Sequence, residues 1–253
     1  MTIDALDRGI DVLEVIAERG SVRLAELPEL LSVSRATAFR VLKTLEERGY
    51  VEHVRSERVY RLGPGPVILA ARSQTSSIVS LAGPAMAELR DAIGETVNLA
   101  LFRGGRVAYV EILDGYHALR LSVSVGEEAP LHATALGKAA LAALTPDRRR
   151  QLLPMEPFPA YTDRTLTTWE QLDDELEVSQ ARGYTLELEE SAVGVVCVGA
   201  AIIGKVGYPI GALSASGLSA RFAKYERQEA GKRVAEWCRR ISTDFGYSDS
   251  SVG

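Results

Sequence analysis

Residues 32–49 read SVSRATAFRVLKTLEERG, and the rest of the chain is best understood outward from them. Ala38, Leu42 and Leu45 recur at spacings of four and three with Val41 beside them, which makes one apolar helix stripe. Arg35, Thr37, Arg40, Lys43 and Thr44 lie largely off it. Ser34 suits the N-cap, where its hydroxyl accepts from a first-turn amide, and Gly49 can take the left-handed conformation that ends a helix. The outer face is short, polar and basic at its N-terminal end. It suits the DNA major groove, where arginine pairs with guanine and threonine meets the thymine methyl. A solvated helix face has the same composition, so the flanking sequence has to decide.

On the N-terminal side, Leu6, Ile10, Leu13 and Ile16 have helical spacing and predict a helix over 5–18, stopped by Gly20. Leu24, Leu27 and Leu31 predict a second, short helix over 24–31, which Pro28 should bend or shorten. Two short helices joined by a tight turn form a helix-turn-helix. On the C-terminal side, 50–54 and 59–62 alternate like strands around the tip Arg55-Ser56-Glu57-Arg58. That hairpin is either an ordinary surface hairpin or a wing whose arginines reach phosphates. Its place after this helix favours the wing. From Ser32 to Arg61, seven basic residues face four acidic ones, a local balance of +3 in a chain of net charge -5. A locally basic surface suffices for DNA, because phosphate attraction is short-ranged in salt.

Gly63-Pro64-Gly65-Pro66 then breaks the chain, and 67–77 reads as a linker helix with a fray or break near Ser76. The expected division is 1–64, 65–79 and 80–253. In the last part a helix is expected over 81–93 with Pro84 in its first turn, then strands over 96–102 and 107–113 joined by Arg103-Gly104-Gly105-Arg106. A strand over 119–125, a small-residue helix over 134–144 and a short helix from Pro146 follow. Thr167 to Glu170 has capping-box spacing, so a helix should start near Trp169 and run to Arg182, with Gly183 ending it. Strands over 184–188, 195–203 and 210–216 and a final helix over 223–245 complete an α+β domain with an antiparallel sheet.

With 253 residues, 46% hydrophobic and 25% charged, the composition is that of a globular protein of one large domain or two. No apolar run approaches the ~18–20 residues that span a bilayer, and the acidic, amphipathic start MTIDALDRGID is no signal peptide. Cys197 and Cys238 have no metal-like spacing, so a cytoplasmic protein without disulfides is expected.

Catalysis would need converging nucleophiles, acids or ligands. His53, His117 and His132 are scattered, and HExxH, GxSxG, P-loop and CxxC motifs are absent. No enzyme, cofactor or metal is expected. The alternatives are an enzyme-like domain carrying a DNA-binding appendage, an adaptor that uses the winged domain for protein contact, and a metal site built from His132, Cys197 and a glutamate. In the acidic cluster Glu187, Glu189 and Glu190, a solvated strand end is the simpler reading for Glu189. Residues 133–138 place small side chains at a helix N-terminus, where free amides favour an anionic group. Alternation puts Ser214 and Ser216 on one strand face near Cys197. Together these suit a small polar ligand such as an organic acid, or form a small-residue packing seam.

The order of motifs carries a resemblance. ALDRGIDVLEVIAERG, SRATAFRVLKTLEERGYV, YRLGPG, GETVNLALFRGGRVAYVEIL, PLHATALGKAALAAL, RGYTLELEESAVGVVCVGAAI and GALSASGLSARF follow one another as in the IclR family of bacterial transcriptional regulators, which the chain resembles along nearly its full length. The resemblance implies a winged helix-turn-helix, a linker helix and an effector-binding domain similar to GAF domains. It also implies a homodimer or dimer of dimers on a palindromic double-stranded DNA operator, modulated by a small-molecule effector, a small organic or aromatic metabolite. The family's groove-reading positions fall at Arg35, Thr37 and Arg40, within an expected DNA-binding set of Ser34, Arg35, Ala36, Thr37, Arg40, Lys43, Arg55 and Arg58. Its effector positions fall at Ala135, Leu136, Glu187, Val195, Cys197, Ser214 and Ser216. Leu136 stands where many members carry a smaller residue, and Glu187 would repel an anion unless protonated or bridged.

Overall fold

The computed structural model describes residues 3–71, 74–118, 123–153 and 155–247. Its contacts group the chain into two compact units, 1–76 and 77–253.

In the first unit, α1 (Asp4–Arg19) ends at Gly20, whose φ of 72° is left-handed. Helix α2 (Leu27–Leu31) is shorter than the expected 24–31. Pro28 lies in its first turn, where a missing amide costs nothing and the fixed φ helps the helix start. Helix α3 (Arg35–Glu47) follows, then β1 (Val51–Val54) and β2 (Val59–Leu62), paired antiparallel from Val51 opposite Leu62 to Val54 opposite Val59. Val12, Ile16, Leu27, Ala38, Leu42, Val51 and Tyr60 form the core. A bridge between Val22 and Tyr60 ties the hairpin to the loop before α2. Gly65, which opens α4 (Gly65–Ala71), donates its amide to the Gly49 carbonyl at 2.7 Å. A Cβ there would stand 2.8 Å from that same oxygen, so only glycine lets the chain turn this close to the end of α3.

The next helix differs from expectation. Helix α5 runs without interruption from Gln74 to Ile93, so there is no break near Ser76, and Pro84 lies inside it. An interior proline costs a helix ~3 kcal/mol in isolation. Here Pro84 is exposed, as is Ser80, whose carbonyl loses its partner. Ile78, Ala82, Ala85, Met86 and Leu89 are buried on the opposite side. Burial of that face outweighs the local breaker.

The second unit continues with β3 (Thr96–Arg103), β4 (Arg106–Leu113), β5 (Glu128–Ala129), α6 (Ala135–Ala142), α7 (Pro146–Leu152), α8 (Trp169–Arg182), β6 (Thr185–Leu188), β7 (Val195–Ile203), β8 (Pro209–Leu218) and α9 (Lys224–Asp244). Six strands form one antiparallel sheet in the order β5-β4-β3-β8-β7-β6. One face packs Val97, Leu99, Val198, Leu213 and Ala215 against α5 and α9. The other packs Ala100, Phe102, Tyr109 and Ala212 against α6 and α8.

Two more expectations are corrected. Residues 119–122 of the strand expected over 119–125 lie outside the described residues, and 123–126 are coil and turn. The strand that pairs beyond β4 is β5, through Val107 opposite Ala129. The capping box of α8 is one residue later than the sequence spacing implied. Thr168 accepts from the Gln171 amide, and the Gln171 side chain accepts from the Thr168 and Thr167 amides. Among the described residues, no helix is long and apolar enough to cross a membrane.

Candidate functional site

In the first unit the candidate surface is the outer side of α3. Ser34 is extended and its Oγ accepts from the Thr37 amide at 3.1 Å, so the helix start is capped as its sequence implies. Ala38 and Leu42 are buried, which turns Arg35, Ala36, Arg40 and Lys43 outward, all exposed. Thr37 is half-buried, and its hydroxyl is hydrogen-bonded to Ser34 Oγ at 2.9 Å. Phe39, which the sequence reading passed over, is 50% exposed. At the hairpin tip Arg55 and Arg58 are exposed, and Arg58 takes a left-handed φ of 57°. His53 stacks on Tyr60 with centroids 4.4 Å apart, which stiffens the hairpin stem.

In the second unit the register assembles a polar patch on one face of an otherwise apolar sheet. Asn98 on β3 stands opposite Ser214 on β8, Ser214 opposite Gly199 on β7, and Gly199 opposite Thr185 on β6. One step along, Thr96, Ser216, Cys197 and Glu187 form a parallel row. Directly paired residues share a face, and every polar member of both rows is buried. Asn98 Nδ2 donates to Ser214 Oγ at 3.2 Å and to Ser216 Oγ at 3.0 Å, so the two serines share a side. Asn98 Oδ1 is buried without a partner.

The first turn of α6 lies on this patch. Thr134 caps it, accepting from the Gly137 amide at 3.0 Å. Thr185 Oγ1 donates to the Ala135 carbonyl at 2.7 Å, and Ala135 packs with Val195 and Cys197. A Cβ on Gly199 would come within 2.9 Å of the Ala135 carbonyl oxygen. Glu187 is bridged: its carboxylate accepts from the Ala135 amide at 3.4 Å, from the Ser191 amide at 3.2 Å and from the Ser191 hydroxyl. The helix N-terminus thus faces an anion supplied by the chain itself. Burial, and then the Glu187 charge, push the Cys197 thiol well above its ordinary value, so it is neutral. Tyr109 is raised first by burial and then by the nearby Glu187 and Glu127 charges, so its phenol is also neutral.

The remaining acids are also held by the fold. Glu190 is buried against Lys138, whose Nζ lies 2.6 Å from both carboxylate oxygens. Glu189, expected to be solvated, has a left-handed φ of 64°, and its carboxylate accepts from the Gly194 amide at 3.1 Å. His132 Nε2 donates to the Pro159 carbonyl at 2.8 Å. Among the described residues, no three of His, Cys, Asp and Glu converge as a metal site, so His132 and Cys197 are not joined into one.

Leu136 is buried in the core beneath the sheet. The seven effector candidates therefore lie around the α6 seam, and the structure packs them closely. A cavity of about 450 Å³ opens beside Arg182, Gly199 and Lys232, and one of about 530 Å³ beside Glu95, His117 and Arg221. Neither is lined by Cys197, Ser214 or Ser216. Asn98, Thr185 and Lys138 were missed by sequence reasoning. One signal for Asn98 was available: Thr96 and Asn98 are polar at the positions of TVNLALF that share a face with Ala100 and Phe102.

Comparison with known proteins agrees with this architecture. The family model described as the IclR helix-turn-helix domain matches residues 5–55, and that of the bacterial transcriptional regulator IclR C-terminal domain matches 70–243. The chain is 32% identical over 248 residues to the HTH-type transcriptional regulator BhcR of Paracoccus denitrificans, covering 97% of this chain and 88% of that one. It is 29% identical over 248 residues to the transcriptional repressor IclR of Escherichia coli, covering 96% and 90%. Among solved structures, an IclR homologue from Microbacterium hydrocarbonoxydans complexed with 4-hydroxybenzoate superposes with a TM-score of 0.82 at 25% identity, over 95% of this chain and 98% of that one. With both halves matched in order, the chain belongs to the IclR family and is a DNA-binding transcriptional regulator of that type.

Proposed function

We propose that the protein is a homodimer that reads a twofold-symmetric DNA operator with α3 and the wing, and that a small organic metabolite bound at the α6 seam sets its operator affinity. The reading set is Arg35, Ala36, Thr37, Arg40 and Lys43 on α3, which Ser34 caps, with Arg55 and Arg58 on phosphates from the wing. The observation that carries this reading is the cationic outer face of α3, held outward by burial of Ala38 and Leu42. In domain terms, 1–64 binds DNA, 65–79 links and 80–253 senses.

A second copy is supported by apolar side chains left exposed in the first unit: Ile3 just before α1, Leu6 and Ile10 on it, and Val67, Ile68 and Leu69 on α4. Exposed apolar area of this kind favours association. A dimer would read half-sites roughly one helical turn, ~34 Å, or a multiple apart.

For the effector, the Microbacterium relative's complex with 4-hydroxybenzoate supports a small carboxylic or phenolic metabolite. Ala135, Leu136, Glu187, Val195, Cys197, Ser214 and Ser216 would surround it. Because Glu187 already answers the Ala135 amide, an effector carboxylate has to displace or share that bond. The neutral Cys197, Ser214, Ser216 and Asn98 groups offer uncharged hydrogen bonds. A coupling of about 1–3 kcal/mol between the two sites changes operator affinity ~5–150-fold.

The test is binding of the full chain to duplexes selected from a random pool, at several salt concentrations. A log–log slope of about -0.9 per phosphate contact is expected, with the operator's symmetry visible in the selected sequences. Selection of no sequence, or an affinity indifferent to salt, would overturn the reading. A thermal-shift screen of organic acids beginning with 4-hydroxybenzoate tests the effector, since a ligand selective for the native state raises its apparent stability.

A further inference from the structure

We propose that Phe39 is a base-reading residue, and that its ring packs against a thymine 5-methyl group in the major groove. The proposal rests on the DNA-reading role given to α3 above and adds a specificity determinant to it.

Phe39 is a large apolar side chain left half bare on α3, at 50% exposure. Its position on the helix is what singles it out. Arg35, Phe39 and Lys43 follow one another at four-residue spacing, so they form one row along the helix surface. With a rise of about 1.5 Å per residue, the Cα of Phe39 lies about 6 Å along the axis from those of Arg35 and Lys43. Arg40 is its neighbour on the outer side, and Ala36 lies one turn back; both are exposed. Buried Leu42 is about 60° round the helix from Phe39 and buried Ala38 about 100°, so the ring stands on the flank where the outer face meets the core.

This charge pattern decides the occupant. A ring bracketed by two cations on an exposed helix row suits a polyanion that carries an isolated apolar spot. Duplex DNA is such a surface: phosphates flank the groove, and the thymine methyl is the apolar group presented on its floor. Thr37 is less well placed for that methyl. It is half-buried, and its hydroxyl is bound to Ser34 Oγ. On the outer face the apolar contact surface is the Ala36 methyl and the Phe39 ring. Losing the contact between one methyl and the ring is worth about fourfold in affinity, and about fifteenfold for two symmetric half-sites.

The experiment uses the full-length protein and the duplex selected by it from a random pool. Each thymine of a half-site is replaced in turn by deoxyuracil, which removes only the methyl. Wild type should lose about fourfold at one position per half-site. Phe39→Ala, which loses the contact in both half-sites, should bind the thymine operator about fifteenfold more weakly and be indifferent to deoxyuracil at that position. Phe39→Leu, which keeps an apolar side chain, should keep part of the discrimination. Equal deoxyuracil sensitivity in wild type and Phe39→Ala, or none in wild type, overturns the proposal. So does a change in the sedimentation of free Phe39→Ala, which would assign the ring to contact between chains. Failure of the wild type to select any sequence is a separate result, seen before any variant is made. It removes the DNA-reading role and this proposal with it.

Discussion

Lys138 on α6 is fully buried, at 0% side-chain exposure, and its ammonium lies 2.6 Å from both carboxylate oxygens of Glu190, fifty-two residues away in sequence. Burial lifts Glu190 above the usual carboxylate range, and the Lys138 charge and the Leu188 amide only partly offset it. Such a pair is costly to break and cheap to replace whole, because removing one partner strands a buried charge. Glu190→Gln should therefore lose about 3–5 kcal/mol. The double variant Lys138→Met with Glu190→Gln should recover most of that, since the introduced amide oxygen can still accept from the Leu188 amide. Urea unfolding of both singles and the double gives the coupling. Additive losses would mean the pair is not coupled in solution.

His132 gives a pH dependence with a definite sign. Burial lowers its pKa below 6.5, the Lys138 charge lowers it further, and the bond to Pro159 only partly restores it. Between its folded value and 6.5 the unfolded chain binds a proton that the native one refuses. Stability is thus fully present above 6.5 and is lost as pH falls through the folded value. Glu190, raised above 4.5, acts in the opposite sense as pH falls through its own folded value. The readout is therefore the difference between wild type and His132→Asn in thermal midpoint across pH 7.5 to 5. That difference should shrink on acidification. A pH-independent difference would show that His132 titrates alike in both states.

Gly137→Ala should destabilise, although alanine is the better helix former by about 1 kcal/mol. A Cβ at Gly137 would stand 2.5 Å from both the Leu131 Cα and the Pro130 carbonyl oxygen. These are backbone atoms that cannot rotate away, and overpacking of this kind costs about 1–3 kcal/mol. The substitution would also push the first turn of α6 off the sheet and loosen the contact between Ala135 and Cys197. A thermal midpoint equal to or above that of wild type would show that the 130–131 segment yields easily.

Ser34→Ala removes the acceptor for the Thr37 amide and should cost about 1 kcal/mol. Amide exchange localises the effect: Thr37 should exchange faster while Ala38, which donates to the Ser34 carbonyl, changes less.

Arg40→Ala tests the proposed reading role of the outer side of α3 directly. Loss of a bidentate base contact costs on the order of 1–3 kcal/mol and relaxes preference at that base pair. Gel-shift titration on the selected operator and on a scrambled duplex separates this from a phosphate contact, which would weaken both equally.

Much of the fold was legible because its signals are local. The Ala38-Leu42-Leu45 stripe, the Ser34 cap, the Arg-Gly-Gly-Arg turn and Gly183 each act within a few residues, so spacing alone places them. The errors arose where a distant surface outweighed a local rule. The Ser76 region looked like a fray or break and Pro84 like a first-turn residue, but α5 runs on through both because Ile78, Ala82, Met86 and Leu89 are buried on the sheet. The cap of α8 moved from Thr167 to Thr168 because Gln171, and not Glu170, folds back onto it.

The order of elements and the polarity of α3 were properties of the chain read residue by residue, since hydrophobic period and capping chemistry need no partner. The seam under α6 was decided by register and packing. Nothing in one dimension puts Asn98 against Ser214 and Ser216, or Glu187 on the Ala135 amide, or Glu190 on Lys138. Those pairings exist because strands far apart in sequence lie side by side, and because a small-residue helix start comes close enough for buried polar groups to satisfy one another.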